Sequence, residues 1–233
     1  MTRREYVVLG DVVASRELAD RAAFRETIDA TLDAVNERYA GDVAGEFALV
    51  KGVDEIAGVV HTPRNLYRLL RDVVSAARPG AIRFAVVYGE IDVGSAGDAV
   101  GEMDGPAFHR ADEALADVAE ADLYVGFAGR RPGFDPLVAA SINLLLMARE
   151  GWTERQRAMV AAYDDTGTQE AVAERLGVSQ QTVSATLRRA DWSRLARLED
   201  EVNEALAAYA SDDDVTRDER DAGEAAEVGH GRD

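Results

Sequence analysis

At 233 residues, 47% of them apolar and none of them cysteine, the chain can hold one medium domain and a small one, and it excludes disulfides and thiolate metal sites. No stretch approaches the ~20 apolar residues of a membrane span and the opening MTRREYVVLG lacks a signal-peptide core, which predicts a cytoplasmic protein without a membrane partner. A net charge of -18 argues at first sight against nucleic acid, whose phosphates call for a basic face.

Two details qualify that exclusion. Lys51 is the only lysine among the 26 basic residues, and the acids are spread along the whole chain, a pattern that with the abundant Ala and Val is similar to proteins of extreme halophiles. Screening in ~1 M salt acts over only ~3 Å, so a global negative field repels DNA little there and charge has to be judged locally. From Thr153 to Arg194 six arginines balance six acids, leaving that stretch neutral inside a strongly acidic chain.

In chain order, residues 5 to 11 (EYVVLGD) predict a buried strand with an acid at its C-terminal end. Phe24, Ile28, Leu32, Val35 and Tyr39 recur at helical spacing, giving an amphipathic helix over 19 to 39. Residues 46 to 51 and 55 to 61 are β-rich on either side of Gly52-Val53-Asp54 and predict a hairpin. Pro63 opens a helix with Leu66, Leu69, Leu70, Val73 and Val74 on its core face, ending near Arg78-Pro79-Gly80. A central strand follows at 82 to 88, then a Gly- and Asp-rich loop over 94 to 105, a helix over 106 to 120 and a strand over 123 to 127. This succession predicts an α+β fold, a ferredoxin-like sandwich over residues 1–150 with helices on one face of a mainly antiparallel sheet. The apolar run from Phe134 to Arg149 is expected to pack on that sheet or on a second subunit.

Thr153 begins a small all-α domain over 151–210. Within it, TQEAVAERLGVSQQTVSATLRRA (168 to 190) reads as a helix-turn-helix: Ala171, Val172 and Leu176 form one apolar face, Gly177 breaks it, and Ser179 caps a second helix carrying Val183 and Leu187. The polar face of this second helix is Gln180, Gln181, Ser184 and Arg188, with Thr182, Thr186 and Arg189 alongside and Ser179 at the cap, side chains suited to base edges and phosphates in a major groove. The same pattern also suits a helical hairpin used for protein contact. The stripe of Leu195, Leu198, Val202, Ala205, Leu206 and Tyr209 serves equally as a dimer seam or as a lid on the small domain's own core. From Ser211 to Asp233 nine acids and three arginines predict a solvated, disordered tail.

Asp11 at the end of the first strand and Asp54 in the hairpin are candidate metal ligands, because two neighbouring carboxylates repel unless a cation lies between them. On spacing alone Asp11 also reads as a cap of the following turn and Asp54 as part of a type I′ turn.

LGDVVASRELADR, KGVDE and MDGPAFHRADEAL together resemble the SatD family over the first domain, although Val53 stands where that family has Gly before the hairpin acid. The resemblance implies a domain coupled to a helix-turn-helix similar to region four of sigma factors. More distantly the first domain resembles class III nucleotide cyclases, in which Asp11, Asp54, IRFAVVYGEIDVG (82 to 94) and Gly105 to Leu115 correspond to the metal aspartates, the strand and loop, and the catalytic helix. His109 stands where the catalytic Asn would be and Glu113 where the transition-state Arg would be. A carboxylate in place of that cation removes a large electrostatic stabilisation, so the resemblance implies Mg²⁺ or Mn²⁺ and nucleotide binding without turnover. Arg16, His109 and Arg110 are then candidate phosphate contacts, the last two opening a helix that faces the aspartate pair. His109 reads equally as a surface residue at a helix start.

The resulting expectation is a DNA-binding transcriptional regulator with a degenerate cyclase-like (palm-like) sensor domain, working as a homodimer on paired half-sites. The alternative is a metal-dependent phosphotransfer enzyme of nucleotides.

Overall fold

The computed structural model describes residues 3–13, 20–51, 55–77, 82–94 and 98–228. It is a mixed α+β chain in the order β1 (Arg3–Val12), α1 (Arg21–Arg38), β2 (Val43–Lys51), β3 (Glu55–Val60), α2 (Leu66–Ala77), β4 (Ile82–Ile91), α3 (Pro106–Glu120), β5 (Val125–Ala128), α4 (Asp135–Glu150), α5 (Glu154–Thr166), α6 (Gln169–Leu176), α7 (Gln180–Arg189) and α8 (Trp192–Val228). The five strands form one sheet in the order β2-β3-β1-β4-β5. β1 lies at its centre, antiparallel to both β3 and β4, and Tyr6 to Leu9 are buried on both faces, as a strand covered on both sides must be.

Alternation along β1 separates two cores. Tyr6 and Val8 face Ile28, Leu32 and Val35 of α1 and Leu66, Leu70 and Val73 of α2. Val7 and Leu9 face the other way, toward Ala107, Phe108 and Ala111 of α3. Helices therefore cover both faces of the sheet, not one as the element order suggested. The cause is β5, which pairs parallel to β4. A parallel neighbour needs a crossover, and α3 supplies it on the face that α1 and α2 leave open.

β5 has a sheet partner on one side only, and Asn143 of α4 completes its other side. The Asn143 amide donates to Val125 O at 2.7 Å and accepts from Tyr124 N at 2.8 Å and Val125 N at 3.1 Å. A buried side chain thus replaces the missing strand, which a backbone edge under a helix requires.

Most of the apolar stripe of α8 is used within the chain, although Leu198 is 51% exposed. Leu195, Leu206, Tyr209 and Ala210 are buried, and the helix packs on α2, α4 and α7, so it closes the chain's own core. Its backbone stays helical to Val228, past Ser211 where a disordered tail is expected from composition. No proline interrupts that stretch, and its Ala, Glu and Arg residues have high intrinsic helix propensity. Among the described residues no helix is long and apolar enough to cross a membrane.

Candidate functional site

The three short helices after Trp152 are delimited by caps. Thr153 and Gln156 form a reciprocal capping box at the start of α5, and Thr168 and Ser179 cap α6 and α7 through Ala171 N and Thr182 N. α5 and α6 both end on glycines in the left-handed region, Gly167 at φ 73° and Gly177 at φ 64°, where a side chain would be strained. Met159, Val160, Val172, Val183 and Leu187 form the core between the helices, and Trp152 Nε1 donates to Ala190 O at 3.0 Å to tie the start of α5 to the end of α7. Leu176, expected on the buried face, is instead 37% exposed beside the glycine turn.

α7 exposes its expected polar face except at Thr186, which is 8% exposed and packs inward with Val183 and Leu187. Ser179, Gln180, Gln181, Arg188 and Arg189 are exposed, Thr182 and Ser184 are half-buried, and Val183, Thr186 and Leu187 turn inward. Beside this face lies a groove of about 540 Å³ between the first turn of α5 and the length of α7. It brings Ser179, Gln181, Thr182 and Arg189 together with Arg155 and Gln156 of α5. Arg155 and Gln156 were not among the predicted contact residues; their signal was the capping sequence Thr-Glu-Arg-Gln, which aims the first turn of α5 at the same groove.

A second, larger cleft of about 900 Å³ separates α1 and α2 from α5, with Arg38, Arg71, Asp72, Arg149, Arg157 and Asp164 in its walls. Behind it sits the network that locks the helical module to the sheet. Glu199 of α8, 3% exposed, accepts from Tyr67 Oη at 2.6 Å, from Arg149 at 2.5 and 2.9 Å, and from Arg71 at 3.4 Å. The Arg149 guanidinium also lies over the rings of Trp152 and Trp192, at 4.9 and 5.6 Å. Arg71 continues the network to Asp72, which accepts from Arg38 and from Tyr39 Oη, both at 2.9 Å.

These surroundings hold tyrosines in the neutral form. Burial, reinforced by the Asp72 carboxylate, pushes Tyr39 up to about 12. Burial likewise raises Tyr67 beside Glu199, Tyr124 beside Glu150 and Tyr209 beside Asp135. A phenol whose folded pKa is raised contributes stability that is intact below its unfolded value near 10 and lost as pH climbs through the folded value. The melting temperature should therefore hold steady to about pH 10 and fall steeply toward pH 12, with phenolate absorbance at 295 nm rising together with unfolding. Ionisation of these tyrosines near pH 10 in a still-folded chain would contradict this.

Asp11 is half-buried at the end of β1. The register sets it opposite Glu55 on β3 and Arg83 on β4, and opposite residues share a face of the sheet. Asp54 and Arg16 lie outside the described residues. Among the described residues no group of three or more His, Asp or Glu gathers as a metal site. His109 and Arg110 do open α3, exposed, with His109 Nε2 3.3 Å from Asp104 Oδ1 and Arg110 donating to Tyr88 O at 3.3 Å. They do not face Asp11, however. Tyr88 is five residues along β4 from Arg83, ~17 Å in an extended strand. The topology forces this separation. α3 must start at the C-terminal end of β4 to cross over to parallel β5, whereas Asp11 ends the antiparallel β1 beside the start of β4.

The profile of the SatD family matches residues 6–197. The chain belongs to the SatD family. In this SatD chain the match runs from β1 through the Glu199 region's edge at Arg197, so it takes in the sheet, α7 and the start of α8. No curated protein matches the sequence. The crystal structure of a regulator of polyketide synthase expression from Bifidobacterium adolescentis aligns with 89% of this chain and 86% of its own at 16% identity, with a TM-score of 0.25.

Proposed function

We propose that this SatD chain is a DNA-binding transcriptional regulator in which α6 and α7 act as a helix-turn-helix and the sheet domain, ferredoxin-like and cyclase-like in plan, acts as a sensor. The observation that carries the reading is α7. It buries Val183, Thr186 and Leu187 and holds Ser179, Gln180, Gln181, Thr182, Ser184, Arg188 and Arg189 on its outer side, a set free of acids. Gln and Arg reach adenine and guanine edges bidentately, and a helix start presents its free N–H groups to phosphate. The short turn at Gly177 and Val178 and the caps at Thr168 and Ser179 support the module reading over a generic hairpin. The strand order β2-β3-β1-β4 supports the ferredoxin-like plan, with β5 added beyond it. Selection of duplexes from a random DNA pool by the full chain tests the proposal. Enrichment of one motif is the expected result, and retention of no duplex above background overturns it.

For the sensor we propose that Asp11, with Asp54, binds Mg²⁺ or Mn²⁺, and that a nucleotide phosphate is met by Arg16. The cross-strand pair Asp11 and Glu55 supports a cation, which would relieve the repulsion of two carboxylates on one face. The Arg83 position opposite Asp11 is the competing source of positive charge. Because His109 and Arg110 lie at the far end of the sheet, any phosphate they contact is not the one at Asp11 of the same chain. Titration of Mn²⁺ followed by paramagnetic resonance should show a bound ion that Asp11→Asn removes. Equal Mn²⁺ binding in both proteins would refute the site, and Mg²⁺-dependent consumption of ATP or GTP by the wild type would favour the enzyme reading instead.

A further inference from the structure

Helix α4 is apolar on two opposite sides. Its inner side, with Ile142, Leu145 and Leu146 buried, packs against β5 and α8. On its outer side Phe134, just ahead of the first turn, is 61% exposed, Leu137 64%, Leu144 66% and Met147 52%. From Pro136 to Ala148 there is no charged residue, in a chain that is 30% charged. A surface helix of a globular protein normally turns a polar face to water, and a contiguous apolar stripe marks an interaction surface. α8 cannot cover this stripe, because it runs along the inner side, where Glu199 meets Arg149 and Tyr209 meets Asp135.

We propose that the outer face of α4 is the seam of a homodimer, packed antiparallel across a twofold axis at Ala140 and Ser141. The pattern is self-complementary. Leu137 and Leu144 stand equally far on either side of the Ala140–Ser141 midpoint, and so do Phe134 and Met147. A twofold axis there sets Leu137 against the partner's Leu144 and Phe134 against the partner's Met147. The small side chains of Ala140 and Ser141 at the crossing let the two helices approach. A twofold interface needs one patch that matches itself, and this stripe does.

Two copies at -18 repel each other, and an uncharged helix is where they can meet at least cost. The four large side chains leave on the order of 400 Å² of apolar surface per copy, and the flanking small residues bring the pair near the ~1,200 Å² at which specific interfaces begin. Association across it should tighten as salt screens the repulsion between the two copies. The inference does not depend on the DNA-binding reading.

Sedimentation equilibrium of the full chain is the first test, with the dimer growing from low to molar KCl. Leu144→Glu should raise the dissociation constant by roughly 100-fold or more while leaving circular dichroism and melting of the monomer unchanged, since the side chain is exposed there. The chain has no cysteine, so Ser141→Cys is a clean probe of the axis. It should cross-link under mild oxidation, and Asp112→Cys on the exposed side of α3 should not. A chain that stays monomeric at about 100 µM overturns the seam. So does a dimer that survives Leu144→Glu, or one in which Ser141→Cys cross-links no faster than Asp112→Cys.

Discussion

Glu199→Ala lowers the unfolding free energy by about 3–5 kcal/mol and the melting temperature by roughly 6–20 °C, the range for a chain of this length. Two guanidinium groups and a phenol are held by this one carboxylate, with Tyr67 fully buried and the Arg149 and Arg71 side chains 13% and 21% exposed. Alanine removes the hydrogen-bonded acceptor and leaves Arg149 only the through-space charge of Asp164 across the cleft and the ring faces of Trp152 and Trp192. That penalty belongs to a broken buried pair, and it exceeds what the intact pair contributes against an apolar substitute. The double variant Glu199→Leu with Arg149→Met should accordingly recover part of the loss. Urea unfolding of the three proteins measures both effects, and a Glu199→Ala chain within 1 kcal/mol of wild type would remove Glu199 as the lock between the helical module and the sheet.

Arg188→Ala and Gln181→Ala should each weaken binding to the selected duplex by about 1–3 kcal/mol, roughly 5- to 150-fold, with no change in melting temperature. Both side chains are exposed, so the folded core loses nothing. If Arg188 reads a base, its loss relaxes the preference at one position of the motif and leaves the salt slope alone. A phosphate contact would instead weaken all duplexes alike and lower the slope by about one. We expect the base-reading outcome. For the wild type a shallow salt dependence is expected, because the stretch from Thr153 to Arg194 is neutral and depends on base contacts and hydration rather than counterion release. A steep loss of affinity between low and molar KCl would count against a chain adapted to high salt. So would an Arg188→Ala protein that binds like wild type, against the role of α7.

Local pattern determined a good deal of this protein. The caps at Thr153, Thr168 and Ser179, the glycine at 177 and the helical spacing of Val183 and Leu187 act within a few residues, so the helices and the polar face of α7 could be read from the chain alone. The apolar runs of β1 and β4 and the hairpin of β2 and β3 were legible for the same reason. Contacts between residues far apart in sequence were not. Glu199 reads as one more acid on a charged helix until tertiary packing brings Tyr67, Arg71 and Arg149 around it. The opposite faces taken by α3 and by α1 with α2, and the distance between His109 and Asp11, follow from β5 pairing parallel to β4. Strand order and direction have no local signature, because the side-chain alternation of a strand is the same whichever neighbour it pairs with. Sequence by itself thus determined most of the segments that form, though not the extension of α8 past Ser211, and most of the polar side of α7, and only the tertiary structure decided which distant charges meet, which ends of the sheet lie together and which apolar face of α4 was left outside.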